Sequence, residues 1–387
     1  MIPYGRQDIQ ESDIAAVLEV LRSDFLTQGP AVPHFEQIVA THCKVGYAVA
    51  VNSATSALHV ALMALDVGVG DIVWTSPNTF VASANAALYC GAKVDFVDID
   101  PDTYNMSISA LRAKLENAEE LGELPKVVIP VHLAGQSCDM RAIHELAQRY
   151  SFKLVEDASH AIGGRYRDEP VGNCAYSDIT VFSFHPVKIV TSAEGGIAVT
   201  NQAELAQKMG LYRSHGITRD PALMTNAVDA AWYYQQIALG YNYRMTDLQA
   251  ALGASQMTRL YDYVKHRHVI ANRYALELAH LPLNLPKQAE YAYSAYHLYV
   301  IRLDLASIAP LKHTQVFQSL RDRNILVNLH YIPVHTQPYY QNMGFSWGDF
   351  PHAENYYRSA ISIPIFPTLT DVEQTQIIKA LHEILTK

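Results

Sequence analysis

Residues 47–65, YAVAVNSATSALHVALMAL, hold the pattern that decides the fold. Tyr47 to Asn52 is a short, valine- and alanine-rich run of the kind that forms a buried strand. It stops at Ser53-Ala54-Thr55-Ser56, small hydroxyl residues suited to a helix N-terminus. ALHVALMALDVG then carries apolar positions at helical spacing and ends at a glycine stop. A strand running straight into a capped helix is one half of a βαβ unit. The unit recurs: DIVWTS then TFVASANAALYCG; AKVDFVDID then a helix near 107–118; KVVIPVHLAG then DMRAIHELAQRY; and finally FKLVEDASHA. Such alternation predicts the α/β class with a mostly parallel central sheet, whose ligands sit outside the carboxyl ends of the strands.

After Asp157 the helical punctuation weakens. SDITVFSFH and GGIAVTN read as two more strands, joined by a loop that holds Pro186 and Lys188. From Asp247 a long helical stretch leads to LPLNLP, a proline-rich break, and a smaller C-terminal α/β unit follows. With 387 residues at about 150 per domain, the economical division is a large domain over 1–247, and a connecting helix with a small domain over 248–387.

Composition narrows the function. Hydrophobic residues make up 49% of the chain and charged ones 17%, enough apolar side chain for a sizeable core, which excludes disordered and fibrous classes. The balance of 29 basic against 38 acidic residues, formally -9, disfavours nucleic acid and anionic membrane as partners. An anionic ligand must therefore be held by a local site. Cys43, Cys90, Cys138 and Cys174 form no CxxC pair. The charged start MIPYGRQDIQESD lacks the apolar core of a signal peptide, and no run of 18 apolar residues occurs, so a cytoplasmic location is expected.

Two acids end the strand Lys153-Leu154-Val155-Glu156-Asp157, with Ala158-Ser159-His160 after them. Thirty-one residues beyond Asp157, Phe182-Ser183-Phe184-His185-Pro186-Val187-Lys188 places a lysine behind an aromatic, apolar lead-in that can desolvate it. A desolvated lysine gives up its proton more readily, and the neutral amine can condense with an aldehyde. A carboxylate can keep a pyridine nitrogen protonated. This pair is what pyridoxal phosphate (PLP) requires, and Ser53 to Ser56 offers backbone N–H groups at a helix start for its phosphate. Each feature alone has a plainer reading: Asp157 as a turn former, Lys188 as a solvated charge, the serines as an ordinary cap, His160 as a satisfied polar residue. Their chain order, with an aromatic candidate at Phe80, brings the cofactor reading level with those plainer ones. A nicotinamide oxidoreductase would need GxGxxG where NSATSA stands, and the 17 histidines fall into no HExxH spacing, which disfavours a metal hydrolase. A non-catalytic sugar-binding protein on the same scaffold remains a third class, and it would tolerate loss of the lysine or the aspartate.

VNSATSALHVALMAL, EDASHAIGG, FSFHPVKIVTSAEGG and GYNYRMTDLQAALG together resemble the DegT/DnrJ/EryC1 family of sugar aminotransferases, nearly end to end. The resemblance implies fold type I and PLP, with its pyridoxamine form PMP, as cofactor of the large domain. It implies that Lys188 bonds the cofactor and later moves protons, that Asp157 pairs with the ring nitrogen, and that Phe80 stacks on the ring. Thr55, Ser56 and Ser183 would hold the phosphate, and His160 would lie near the phenolic oxygen. Asn242 in GYNYR would serve the phosphate site of a neighbouring subunit, which implies a homodimer with the site at the interface. Some relatives are dehydratases with histidine in place of the lysine, so Lys188 favours amino transfer. IPYGRQDI, SDFLTQGPAVPHFE and SPNTFVASANAALYCGA resemble the pseudaminic-acid branch, which implies glutamate (leaving as 2-oxoglutarate) and a UDP-4-keto-6-deoxy-N-acetyl-hexose as substrates. FSFHPVKIVTSAEGG and HTQPYY are also close to the branch acting on a UDP-4-keto-pentose for lipid A. His330 and Tyr331 in NLHYIPVH resemble a substrate loop, equally readable as surface aromatics, and His185 is a further candidate for substrate phosphate.

Overall fold

In the computed structural model, which describes residues 1–228 and 230–386, seven strands form one central sheet. In chain order the first five are β1 (Tyr47–Val51), β2 (Ile72–Thr75), β3 (Lys93–Phe96), β4 (Val127–Ile129) and β5 (Lys153–Asp157), joined by Ile179–Ser183 and Gly196–Thr200. Across the sheet the order is β1, Gly196–Thr200, Ile179–Ser183, β5, β4, β2, β3. All neighbours pair in parallel except Gly196–Thr200, which runs antiparallel to both of its partners. The sheet is thus mostly parallel, as the alternating pattern requires.

Before the proline-rich break the described α-helices are α1 (Glu11–Leu21), α2 (Ala31–Cys43), α3 (Ala54–Ala64), α4 (Val81–Tyr89), α5 (Ile108–Leu121), α6 (Met140–Tyr150), α7 (Ala203–Tyr212), α8 (Asp247–Met257) and α9 (Leu260–Glu277). Helix α3 is apolar nearly all round, and all but three of its eleven residues are buried. It packs on the sheet and is flanked by α4, which lies on β2 and β3, and by α7, which lies on β1 and Gly196–Thr200, so little of its surface is left open. On the other face of the strands near β1, Phe35 of α2 meets Phe184 edge to face, ring centroids 5.0 Å apart, within a cluster that includes Ala250 and Met257 of α8. The long C-terminal helical stretch is two helices. Helix α8 ends at Met257, and Arg259 turns the chain while its guanidinium holds the buried Asp13 at 2.6 Å.

Beyond the proline-rich break, Tyr299–Leu303 sits between Leu283–Asn284 and Ala360–Ile363 in a three-stranded antiparallel sheet. The helices His313–Asp322 and Asp371–Leu385 contribute to its core, which continues along α9 through Ile270 and Tyr274. The N-terminus joins this unit, because Ile2 bridges to Ile325. Among the described residues no helix is long and apolar enough to cross a membrane.

Candidate active site

Alternation along the strands decides which side chains meet. Val155 and Asp157 of β5 share one face with Val181 and Ser183 of the neighbouring strand, and Val155 and Val181 pack there against Ala57 and Leu58 of α3. Glu156 therefore points to the opposite face, where its carboxylate meets the buried His132 at 2.6 Å and accepts from Thr180 at 2.9 Å. Asp157 and Ser183 thus stand at carboxyl ends of parallel strands, on the side from which α3 begins.

That helix start is close to the sheet. Ser53 caps α3 by accepting the Ser56 N–H at 3.1 Å, and Ser56 donates its hydroxyl to Asn52 at 2.6 Å. The first N–H groups of a helix have no acceptor inside it, which leaves those of Ala54 and Thr55 available to an anion. Gly196 closes the back of this cradle: a Cβ there would lie 2.4 Å from the backbone of Ser53 and Ala54. Any side chain at 196 would fill the space that lets the helix start approach the sheet.

Lys188 belongs to a loop closed on itself, since Phe184 N–H donates to Gly195 O and Ser192 N–H to Phe184 O, each at 2.9 Å. Ile189 and Val190 behind it are buried, and Phe184 anchors the loop on Phe35. Burial pulls the Lys188 ammonium down to about 8, against the opposing attraction of Asp157. Asp157 is itself buried, accepting Ser83 Oγ at 2.6 Å on Oδ2 and the Ser159 N–H at 3.1 Å on Oδ1.

Both groups line a cavity of about 930 Å³ at the strand ends. Thr55, Ser56, Phe80, His160, Ser183, His185, His330 and Tyr331 line it as well. Phe80 precedes α4 with 57% of its surface exposed, a large apolar face left open to the cavity, 6.0 Å from the ring of Tyr331. His160 Nδ1 accepts the Ala134 N–H at 3.3 Å, so its proton sits on Nε2, 3.1 Å from Tyr331 Oη. Burial and the nearby Lys188 charge hold His160 well below its ordinary value, and the same causes bring His330 to about 3. Both imidazoles are neutral at pH 7. The segment carrying His330 and Tyr331 is pinned by Asn78, which accepts the Tyr331 N–H at 3.2 Å, and by Tyr356, which donates to His330 O at 2.7 Å.

Asn242 is the one predicted residue outside this cavity. It is exposed and bridges to Ser214, next to Tyr243, whose carbonyl accepts the Asn52 N–H at 2.8 Å. Sequence reading missed several lining residues, among them Tyr4, Asn52, Thr79, Gln249 and His297. It also missed Ser83, which reaches the site through Asp157. Tyr4 lies far away in the chain, and Thr79 and Ser83 read as ordinary helix-start and helix-interior positions, so none carries a local signal. His297, in YHLYV, reads as a core position, and it is buried with its ring centroid 4.4 Å from that of His160.

An amine loosened by desolvation beside a buried carboxylate, at the strand ends of a mostly parallel sheet and next to a helix start that favours an anion, defines a PLP enzyme of fold type I. The chain belongs to the DegT/DnrJ/EryC1/StrS aminotransferase family, whose profile matches residues 7–382. Spore coat polysaccharide biosynthesis protein SpsC of Bacillus subtilis is 39% identical to it over 99% of this chain and 97% of its own length. The UDP-4-amino-4,6-dideoxy-N-acetyl-beta-L-altrosamine transaminase of Campylobacter jejuni is 37% identical over 100% of this chain and 98% of its own. The PMP form of Spr1654 from Streptococcus pneumoniae superposes with a TM-score of 0.91 at 30% identity, covering 99% of each chain, and its PLP form with 0.89. The protein is a PLP-dependent aminotransferase. Its own residues fit the cofactor, because the Gly196 cradle, the loosened Lys188 amine and the open face of Phe80 each match one part of that molecule.

Proposed function

We propose that this aminotransferase moves the amino group of glutamate to C4 of a UDP-linked 4-keto-6-deoxy-N-acetyl-hexose. The observation that carries the reading is Lys188, held at about 8 by burial beside Asp157 in a single cleft, within a chain similar end to end to a UDP-amino-sugar transaminase. PLP, when bound, supplies an aldehyde for the amine and a ring that takes up the electron pair freed at the substrate carbon.

The chain's residues divide the remaining work. With its proton loosened to about 8, Lys188 is neutral in about a tenth of molecules at pH 7, so Nζ both takes and returns a proton at the reacting carbon. Asp157 holds a positively charged ring nitrogen by its own negative charge. The N–H groups of Ala54 and Thr55, with the hydroxyls of Thr55 and Ser183 and that of Ser56 once turned from Asn52, would bind the phosphate. Phe80 covers the flat ring, and with Leu58, Ala82 and Val131 it keeps water from the reacting atoms. His160 offers its Nε2–H to a phenolate oxygen. His185, His330 and Tyr331 face the sugar nucleotide. Asn242 serves the phosphate site of a second copy, so that the active unit is a homodimer. The exposed apolar side chains of Leu21, Phe25 and Leu26 support that association.

The test is glutamate-dependent amination of a panel of UDP-4-keto sugars, with product stereochemistry read by NMR. The expected product is a 4-amino-4,6-dideoxy-N-acetyl-hexose. Amination of a UDP-4-keto-pentose alone, or of no sugar in the panel, overturns the substrate assignment.

A further inference from the structure

Ser83 lies on α4, is fully buried, and has no place in the chemistry above. Its Oγ is 2.6 Å from Asp157 Oδ2, and Thr79 Oγ1 is 2.8 Å from Ser83 Oγ. The direction of this chain follows from counting hydrogens. An ionised carboxylate only accepts, so Ser83 gives its single hydrogen to Asp157, and Thr79 must then donate to Ser83. Each bond polarises the next, and a hydroxyl donating to a charged oxygen is stronger than one donating to a neutral group. Oδ1 takes its own donor from the Ser159 N–H at 3.1 Å. Both oxygens are thus held by uncharged donors, which fix the plane of the carboxylate without themselves neutralising its charge. Glu156, one residue earlier and on the other face, differs, since an imidazole takes up its carboxylate at 2.6 Å.

We propose that Ser83 is a positioning residue whose hydroxyl, donated to Asp157, sets how strongly that carboxylate draws the proton of the ring nitrogen bound against it. The proposal rests on Asp157 being the partner of the cofactor's ring nitrogen. Removing the Ser83 donor makes the carboxylate a stronger base, so the shared proton shifts from the ring nitrogen toward Asp157. The ring is then less cationic and is held less tightly.

The test uses holoenzyme loaded with PLP carrying ¹⁵N in the ring, comparing wild type, Ser83→Ala, Ser83→Thr and Asp157→Asn. The readouts are the ring ¹⁵N shift and the cofactor dissociation constant. In Ser83→Ala the signal moves toward the neutral-pyridine position and the dissociation constant rises about tenfold, while Ser83→Thr, which keeps the hydroxyl, restores both. A folded Ser83→Ala protein with the wild-type signal and a dissociation constant within about twofold overturns the proposal. If the alanine variant does not fold, Ser83→Cys, with a weaker donor of nearly the same volume, is read by the same criteria. Asp157→Asn separates the two levels. If it too keeps the wild-type signal and affinity, the reading of Asp157 falls; if it changes both while Ser83→Ala changes neither, only the role of Ser83 falls.

Discussion

Replacing Gly196 by alanine tests the phosphate cradle with one methyl group. Gly196 pairs with Val51 of β1 on one side and with Ser183 on the other, so its backbone is fixed by two strands. The added Cβ would sit 2.4 Å from Ser53 C, Ser53 O and Ala54 N, all backbone atoms of the peptide that opens α3. Carbon contacts settle at about 3.5 Å, so strand and helix start must separate by roughly 1 Å. Overpacking of this kind costs about 1–3 kcal/mol of stability. The same displacement moves the Ala54 and Thr55 N–H groups away from the phosphate we propose they hold. Loss of one charged hydrogen bond, worth about 1.5–3 kcal/mol, raises the PLP dissociation constant roughly 10- to 100-fold. The assay is an absorbance titration of the apoenzyme with PLP and, in parallel, with pyridoxal, which lacks the phosphate. Only PLP should lose affinity. PLP binding within about threefold of wild type in Gly196→Ala, or an equal loss for pyridoxal, would refute the reasoning.

Two further predictions concern Lys188. Lys188→Ala still binds PLP without a covalent bond, and borohydride fixes no label to it; trapping at the wild-type yield would identify another lysine as the nucleophile. Because burial lowers Lys188 to about 8, the neutral amine gains about tenfold per pH unit below that value, and the rate at which apoenzyme captures PLP should rise with it and level off above about pH 8. Asp157 raises the lysine's value, so in Asp157→Asn the rising limb moves to lower pH; a limb that stays in place in stopped-flow traces would contradict their pairing. The sign for stability follows from the same shift. Between about 8 and the ordinary 10.5 the unfolded chain binds the extra proton, so this lysine's unfavourable contribution fades as pH rises through that window.

Much of the molecule was legible because the signals were local. The valine-alanine run at 47–51 became β1, and Ser53 became the cap of α3, because strand burial and the capping of the first N–H groups depend on neighbours a few residues away. The acid at the end of β5 and the lysine in an apolar loop were visible as candidates by their positions, although each alone reads equally as a turn former or a solvated charge. The helical period also carried the C-terminal stretch from Asp247, but not its division at Arg259. That turn goes with a guanidinium drawn to Asp13, a residue 246 positions away.

Period and capping specify each element and the face it buries, because both are properties of a few consecutive residues, and so residue order alone determined the strand-helix alternation and the start of α3, and it put Asp157 and Lys188 forward as candidates. Which strands become neighbours depends on contacts across long stretches of chain. Only tertiary structure placed Gly196–Thr200 antiparallel between β1 and Ile179–Ser183, and so set Gly196 against the start of α3. Only tertiary structure brought Ser83 to Asp157 across 74 residues and Tyr331 to His160 across 171. Burial, which loosens the proton of Lys188, is likewise a property of the packed whole and is written in no single segment.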